Sequence, residues 1–213
     1  VNPNPFFLPS RAFIEYLPRG VVAVIAPWNY PVNLALGPLA AALAAGNRVV
    51  VKPSELTPKT SEWMARAIAD RFSADEVAVV TGGVEVARAV TGLPLDGLLF
   101  TGSTPVGTLV AQAAAKNLVP VTLELGGKSP NVVFADADFE AAVDGALFGA
   151  FANQGEVCSA GSRLLVDKAI YQRMLTALTE KVRRVRLGRP LDRETKMGPL
   201  VTREHRDKVL EYI

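Results

Sequence analysis

Residues 20–52 read GVVAVIAPWNYPVNLALGPLAAALAAGNRVVVK, and their pattern indicates the fold class. Residues 20–26 form a continuous apolar run rich in β-branched side chains, which is typical of a strand buried on both faces. Residues 34–45 are rich in Ala and Leu and end at Gly46-Asn47, which is a helix-stop signal. Residues 48–52 form a second short β-branched run. The stretch therefore predicts a strand–helix–strand unit.

The same alternation continues along the chain. Thr57-Pro58 is a helix-start signal, and Gly82-Gly83 closes a strand. We predict further strands and helices in turn, with strands at 77–81, 97–101 and 119–125 and helices at 59–72, 85–91 and 104–116. Strands that alternate with helices in this way are typical of a parallel sheet with helices on both faces. The sequence therefore predicts an α/β fold, with a first domain over residues 18–127.

The pattern restarts after Gly126-Gly127. We predict part of a second α/β domain over residues 128–213, with strands at 131–134 and 163–166 and helices at 139–151, 169–185 and 202–213. Residues 6–17 are predicted to form an isolated strand pair outside the main sheet. Because the chain lacks an initial Met and stops within a helical pattern, we expect it to be a piece of a longer protein.

The composition disfavours several classes of partner and site. The 213 residues are 49% hydrophobic and 21% charged, which is enough to bury a core. A net charge of +2 does not favour nucleic acid or an anionic membrane as a partner. One Cys excludes an intrachain disulfide, and one Cys with one His leaves the usual zinc site without ligands. The longest apolar stretch, residues 34–45, is too short to cross a bilayer. We expect a soluble cytoplasmic protein that binds no metal.

Two single residues are candidates for covalent chemistry. Cys158 lies in NQGEVCSAG, where small residues leave room for a substrate to approach the thiol. The competing interpretation is a buried, inert cysteine, which is more frequent for an isolated one. Glu124 lies near the end of an apolar strand, where burial would raise the pKa of a carboxyl and suit a general base. An ion pair with Lys128 explains Glu124 equally well.

Three loops that follow predicted strands carry polar residues suited to a ligand. Asn29, between the two prolines of PWNYP, can donate to a developing oxyanion, although Asn is also a common turn former. Residues 102–107, GSTPVG, open a helix where Ser103 or Thr104 can cap the first turn and contact an anion; a plain capped helix is the simpler interpretation. Residues 52–55, KPSE, place an acid where dinucleotide folds bind ribose, or form a solvated turn.

Taken in order, these motifs resemble the NAD(P)-dependent aldehyde dehydrogenase superfamily. The motifs are PWNYP, KPSE, FTGSTPVG, LELGGKSP and NQGEVCSAGSR, and the likeness covers nearly the whole chain. The spacing of Glu124 and Cys158 is also similar to that of the family. The resemblance implies a Rossmann-like cofactor domain, followed by part of a catalytic domain, and the oxidation of an aldehyde to a carboxylic acid. The implied cofactor is NAD, with NADP possible.

The resemblance also implies roles for the catalytic residues. Cys158 is similar to the family's thiol nucleophile, which forms a thiohemiacetal and then a thioester. Glu124 matches the general base that activates the hydrolytic water. Asn29 matches the oxyanion stabiliser, together with the backbone N–H of Cys158.

A second set of residues is implied to hold the cofactor. Lys52 and Glu55 match the residues that bind the adenosine ribose, and the charge of Glu55 disfavours the 2′-phosphate of NADP. Trp28, Gly102 and Ser103 match positions that line the pyrophosphate, and Gly107 supports the close helix packing there. Leu125 is also implied to bind the cofactor. No metal is implied.

The likeness differs along the chain. TGGVEVARAV, before the FTGSTPVG motif, resembles the class-3 and coniferyl-type branch, whereas the Cys158 region and the last residues resemble the betaine-aldehyde branch. Residues 6–17 match the family's oligomerisation strands, so a homo-oligomer is expected when the protein is intact. We expect the 213-residue chain alone to be weakly active or inactive. The alternatives are an inactive structural segment and a thiol esterase or acyl-transfer enzyme, although Glu124 argues against acylation of coenzyme A.

Overall fold

In a computed structural model, the chain is described at residues 4–11 and 13–212. It divides into two compact units, residues 1–124 and 125–213. The division falls close to the predicted domain boundary at Gly127. No helix in the described part of the chain is both long and apolar enough to cross a membrane.

The first unit alternates strands and helices. The strands are β1 (Val21–Ile25), β2 (Arg48–Lys52), β3 (Val77–Val79), β4 (Gly97–Gly102) and β5 (Val121–Leu125), which reaches the unit boundary. The helices are α1 (Asn33–Ala44), α2 (Pro58–Ala69), α3 (Val84–Thr91) and α4 (Thr104–Ala115). The helix signals act as predicted: Pro58 opens α2, and Gly46, with φ of +83°, follows the end of α1.

The five strands form one sheet in the order β3-β2-β1-β4-β5. β1 pairs in parallel with β2 and with β4, and β2 pairs in parallel with β3. The chain moves outward from β1 through α1 and α2, then returns to the other side of β1 through α3. Because such crossovers are right-handed, α1 and α2 cover one face of the sheet, and α3 and α4 cover the other. The predicted α/β fold with helices on both faces is confirmed.

The core of this unit lies between the strands and the first two helices. Alternate residues of β1 and β2, such as Val24 and Val49, pack against Leu39 of α1 and Met64 of α2. Asn47 fixes the entry of the chain into β1. Its side-chain oxygen accepts hydrogen bonds from the backbone N–H groups of Arg19 and Gly20, at 2.7 and 3.1 Å, and its amide donates to a carbonyl of α1 at 3.0 Å.

The second unit holds a two-stranded parallel sheet. Its elements are β6 (Pro130–Val133), α5 (Phe139–Phe151), β7 (Arg163–Val166), α6 (Tyr171–Arg183) and α7 (Arg203–Leu210). Val143 of α5 and Met174 of α6 are buried against Val133 of β6, and form the core of the unit. A 3₁₀ turn, Ala152–Gly155, follows α5 and leads to Cys158. The predicted helix over 202–213 ends at Leu210, and Ile213 lies outside the described residues.

The predicted strand pair at residues 6–17 is wrong for the described part of this segment. A 3₁₀ turn covers Pro5–Phe7, and residues 8–11 and 13–19 contain no strand. Aromatic side chains are largely exposed here, with Phe6 95% and Tyr16 92% accessible. A two-stranded pair is marginal in water unless its apolar face packs on something. Ala12 lies outside the described residues.

Candidate functional site

The polar candidates of the first unit lie along one edge of the sheet. The carboxyl ends of parallel strands lie along the same edge. The loop after β1 carries Trp28 and Asn29, and the turn after β4 carries Ser103. β1 and β4 are adjacent strands from which the chain departs in opposite directions. Such a switch point is where open α/β sheets bind ligands.

The loop after β1 is short and folded back on itself. It runs over residues 26–32, and the backbone N–H of Leu34 donates to the carbonyl of Tyr30 at 2.9 Å, which starts α1. Trp28 and Asn29 are both half-buried, and each interacts with neighbouring groups. Asn29 is therefore a restrained side chain close to the end of a buried strand, as its place between two prolines predicts.

The end of β2 carries a buried cation. The side chain of Lys52 is 3% exposed, and its Nζ lies 2.5 Å from Oε2 of Glu55, which is partly exposed. Partial burial opposes ionisation of Glu55, but the hydrogen bond from Lys52, a backbone hydrogen bond and the ammonium charge together hold the pKa of this carboxyl below its ordinary value. The solvated-turn interpretation is therefore wrong for Lys52, and Glu55 presents a negative charge at the sheet edge.

The loop after β2 is tied to α2 by serines that sequence reasoning missed. Ser61 is buried, and its Oγ lies 2.8 Å from the carbonyl oxygen of Ser54. Oγ of Ser54 accepts a hydrogen bond from the N–H of Leu56 at 3.2 Å. These bonds hold the loop between Lys52 and α2. A serine three residues into a predicted helix was the available signal, since Ser and Thr commonly bond to nearby backbone.

The turn between β4 and α4 leaves no room for a side chain at Gly102. A Cβ there would lie 2.9 Å from Cε1 of Phe100, whose ring is buried. Ser103 is the N-cap of α4, as predicted, but its exposed side chain makes no capping hydrogen bond among the described residues. Gly107 is buried on α4. A bare backbone turn opening a helix, with an exposed hydroxyl beside it, fits a phosphate group.

Glu124 is exposed, so the expected burial of this carboxylate is wrong for the described chain. Glu124 is exposed because its strand, β5, lies at the edge of the sheet. Thr122, two residues earlier and therefore on the same face, lines an open groove of about 430 Å³ beside β1 and β4. Glu124 therefore projects from the open face of an edge strand, at its carboxyl end.

Cys158 belongs to the second unit and is exposed, so the interpretation of a buried, inert cysteine is wrong. The backbone before it is left-handed at three consecutive residues: φ is +48° at Asn153, +60° at Gln154 and +75° at Gly155. A non-glycine residue in this region costs about 1–2 kcal/mol. Such strain concentrates at functional sites.

Sequence reasoning missed the residues that hold this loop. The carboxylate of Glu156 is buried and accepts a hydrogen bond from the backbone N–H of Val201 at 2.9 Å. The side-chain oxygen of Gln154 accepts one from Gly198 at 3.3 Å. An acidic residue two positions before the only cysteine was a signal, but its partners lie far along the chain.

The geometry fits a dinucleotide. In the first unit, an acid–lysine pair ends β2, a side-chain-free turn opens α4, and both lie at the carboxyl edge of the sheet. Leu125 follows at the unit boundary. Within the described ranges, no group of three or more His, Cys, Asp and Glu side chains is able to hold a metal ion. A parallel sheet of this order with this edge defines the class of Rossmann-like nucleotide-binding folds.

The chain belongs to the aldehyde dehydrogenase family, whose pattern matches residues 7–213. It is 44% identical to an aldehyde dehydrogenase of Vibrio cholerae serotype O1, over 97% of this chain and 42% of that protein. It is 40% identical to the 4,4'-diaponeurosporen-aldehyde dehydrogenase of Staphylococcus aureus, over 95% of this chain and 44% of that protein. The chain therefore spans less than half the length of these curated relatives.

Solved structures agree with this assignment. The substrate-bound AldH of Staphylococcus aureus superposes with a TM-score of 0.89 at 38% identity, covering 100% of this chain and 46% of that one. A betaine aldehyde dehydrogenase of the same species, in complex with NAD+, gives 0.88 at 41% identity, covering 92% of this chain and 39% of that one. The predicted family resemblance is confirmed.

Proposed function

We propose that this chain carries the cofactor edge and the thiol nucleophile of an NAD-dependent aldehyde dehydrogenase, which oxidises an aldehyde to a carboxylic acid. The proposal rests on one observation. The chain belongs to the family, and its single cysteine is exposed in a strained loop that contains a glycine. A thiol that attacks a carbonyl must be reachable and must be held in place. The reducing cytosol, which keeps such a thiol free, is the inferred location.

Each residue has a chemical task in this proposal. The thiolate of Cys158 attacks the aldehyde carbon, and the C–S bond forms as the carbonyl oxygen takes up negative charge. Asn29 and the backbone N–H of Cys158 donate hydrogen bonds to that oxygen. The resulting thiohemiacetal becomes a thioester once it has lost a hydride, for which bound NAD would supply the acceptor. Glu124 then takes a proton from water, which attacks the thioester carbon; the C–S bond breaks, and the acid and the thiolate are released.

All but one of the cofactor residues of the proposal lie on the first unit, and the exception, Leu125, is the first residue of the second unit. Lys52 and Glu55 bind the adenosine ribose hydroxyls, with Ser61 holding their loop. The ionised Glu55 repels a 2′-phosphate, which favours NAD over NADP. Trp28, Gly102 and Ser103 receive the pyrophosphate at the start of α4, and Gly107 allows close packing there. Leu125, the last residue of β5, is the remaining cofactor residue that the family resemblance implies. A relative solved with NAD+ supports the same cofactor.

The exposed apolar segment at residues 6–17 supports a homo-oligomer as the partner state. Phe6, Phe13 and Tyr16 are each more than four-fifths exposed in the single chain. Contiguous exposed apolar surface is typical of a protein–protein interface. Sedimentation of the wild-type protein and of a variant with Phe13→Ser and Tyr16→Ser tests this: the variant is expected to have the smaller mass.

Aldehyde-dependent formation of NADH tests the reaction. The 213-residue chain is expected to turn over slowly, so it is compared with a graft in which it replaces the matching segment of the Vibrio cholerae relative. The graft is expected to form NADH only with aldehyde and NAD together, and Cys158→Ser to form none. Activity that survives Cys158→Ser contradicts the proposal. Ester hydrolysis without NAD, and no NADH, would instead favour a thiol esterase.

A further inference from the structure

The loop that carries Cys158 has a backbone that requires support from elsewhere. Asn153 and Gln154 are non-glycine residues with positive φ, and Gly155 continues the left-handed run. Such residues persist only where the surrounding structure holds them. Within the loop, the N–H of Glu156 donates to the carbonyl of Asn153 at 2.9 Å, and this bond closes the turn. The side-chain amide of Asn153 also donates to the carbonyl of Glu156, at 3.4 Å. Further support comes from residues that follow much later in the chain.

Residues 197–205, which we term the clasp segment, supply that support. The N–H of Gly198 donates to the side-chain oxygen of Gln154, and the N–H of Val201 donates to Oε1 of Glu156. The two acceptors lie on either side of Gly155. The clasp segment therefore binds the loop on both sides of Gly155.

The contact between Val201 and Glu156 is the stronger of the two. Its side chain is 6% exposed, and a buried carboxylate is tolerated only where donors satisfy it. Besides Val201, Nε2 of His205 lies 3.6 Å from the same carboxylate oxygen. His205 is held in turn by the first turn of α7, where its N–H donates to Oγ1 of Thr202 at 3.1 Å. Hydrogen bonds to a charged acceptor are the strong kind.

We propose that Glu156 is a positioning residue, which holds the Cys158 thiol in place by locking its loop onto the clasp segment. Glu156 precedes Cys158 by two residues. Loss of the hydrogen bonds to the Glu156 side chain therefore lets the backbone that carries the thiol move. The inference rests on the proposed role of Cys158 as nucleophile. It assigns Glu156 no contact with the substrate.

Hydrogen exchange of the 213-residue chain tests the lock directly. Glu156→Ala removes the acceptor, and exchange over residues 153–158 is expected to rise at least about tenfold, the factor that corresponds to loss of a hydrogen bond to a charged group. Glu156→Gln keeps an oxygen for the Val201 N–H and is expected to restore slow exchange. Glu180→Ala, an exposed glutamate of α6, is the matched control and is expected to change nothing there.

Alkylation of Cys158 by iodoacetamide gives the second readout. In Glu156→Ala the rate is expected to fall toward that of a short peptide with the same residues, while Glu156→Gln stays near wild type. If Glu156→Ala does not fold, Gln154→Ala removes the other contact and is expected to raise exchange in the same loop. Any of three results in Glu156→Ala, or in Gln154→Ala where it replaces that variant, would overturn the proposal. These are unchanged hydrogen exchange in the loop, a rise in exchange in β7 equal to that in the loop, and faster loop exchange with an unaltered rate of Cys158 alkylation. The effect of NAD on wild-type alkylation tests the proposed function separately.

Discussion

Replacing Gly102 by alanine places a methyl group against the buried ring of Phe100. The added Cβ would lie 2.9 Å from Cε1 and 3.3 Å from Cε2, and closer still to Cζ. The ring is 5% exposed, so it is unable to move aside without disturbing the core. Overpacking of this kind costs about 1–3 kcal/mol. At about 2–4 °C per kcal/mol for a chain of this size, the melting temperature is expected to fall by roughly 2–12 °C.

Tryptophan fluorescence reports on the affected unit alone. The two tryptophans, Trp28 and Trp63, both belong to the first unit. Thermal unfolding is followed for wild type, Gly102→Ala and the control Gly92→Ala. Gly92 follows α3 with φ of −87° and ψ of −6°, a conformation that alanine also adopts, and an added Cβ would lie 3.5 Å from the nearest heavy atom, the carbonyl oxygen of Arg88. Since such a replacement reduces the freedom of the unfolded chain, the control is expected to unfold at or above the wild-type temperature.

A double variant isolates the steric cause. Phe100→Leu shortens the side chain that the new methyl group meets, so combining it with Gly102→Ala is expected to cost less than the sum of the single changes, with a coupling of about 0.5–3 kcal/mol. Unfolding of Gly102→Ala at the wild-type temperature would contradict the expected clash with the ring. Strict additivity of the two changes would show that the ring is not the obstacle.

Three further changes test other parts of the account. Asn47→Ala removes the hydrogen bonds that fix the entry into β1, and is expected to cost about 1–3 kcal/mol in urea unfolding; an unchanged midpoint would contradict it. The pKa of Glu55 is lowered in the folded chain, so its pairing with Lys52 stabilises above the ordinary value of 4.5, and this contribution is lost as pH falls through the folded pKa. Urea midpoints of wild type and Glu55→Gln are therefore expected to differ at neutral pH and to converge below pH 4.5. A difference between the two midpoints that stays constant with pH would contradict a stabilising Lys52–Glu55 pair. Glu124→Gln in the graft is expected to accumulate acylated Cys158 by intact mass and to slow NADH formation about 10²–10⁴-fold, and full turnover would remove Glu124 from its role as base.

The main sheet could be predicted because its strands are buried on both faces. Such strands appear as continuous apolar runs, and α1 ends where Gly46 predicts because only a residue tolerant of positive φ suits that position. Element ends were less accurate: α2 ends at Ala69 rather than residue 72. The final turn of a helix depends on tertiary contacts more than on local pattern.

The errors concern features that depend on distant residues. The strand pair expected at residues 6–17 is not formed within the described residues, because a strand also needs a partner, which sequence pattern does not supply. The expected burial of Glu124 failed because the sequence does not show that β5 is an edge strand. Glu156 was missed because the backbone group that it binds, the N–H of Val201, is 45 residues away.

We would test the proposed nucleophile first, through the reactivity of Cys158 with and without NAD. Cys158 is the only cysteine, so alkylation by iodoacetamide near neutral pH can be followed by intact mass without ambiguity. A simple peptide thiol is only a few per cent thiolate at that pH and reacts slowly. We predict labelling faster than that of a peptide of residues 153–161, at a rate that NAD changes. Labelling at the peptide rate, with no response to NAD, would contradict it.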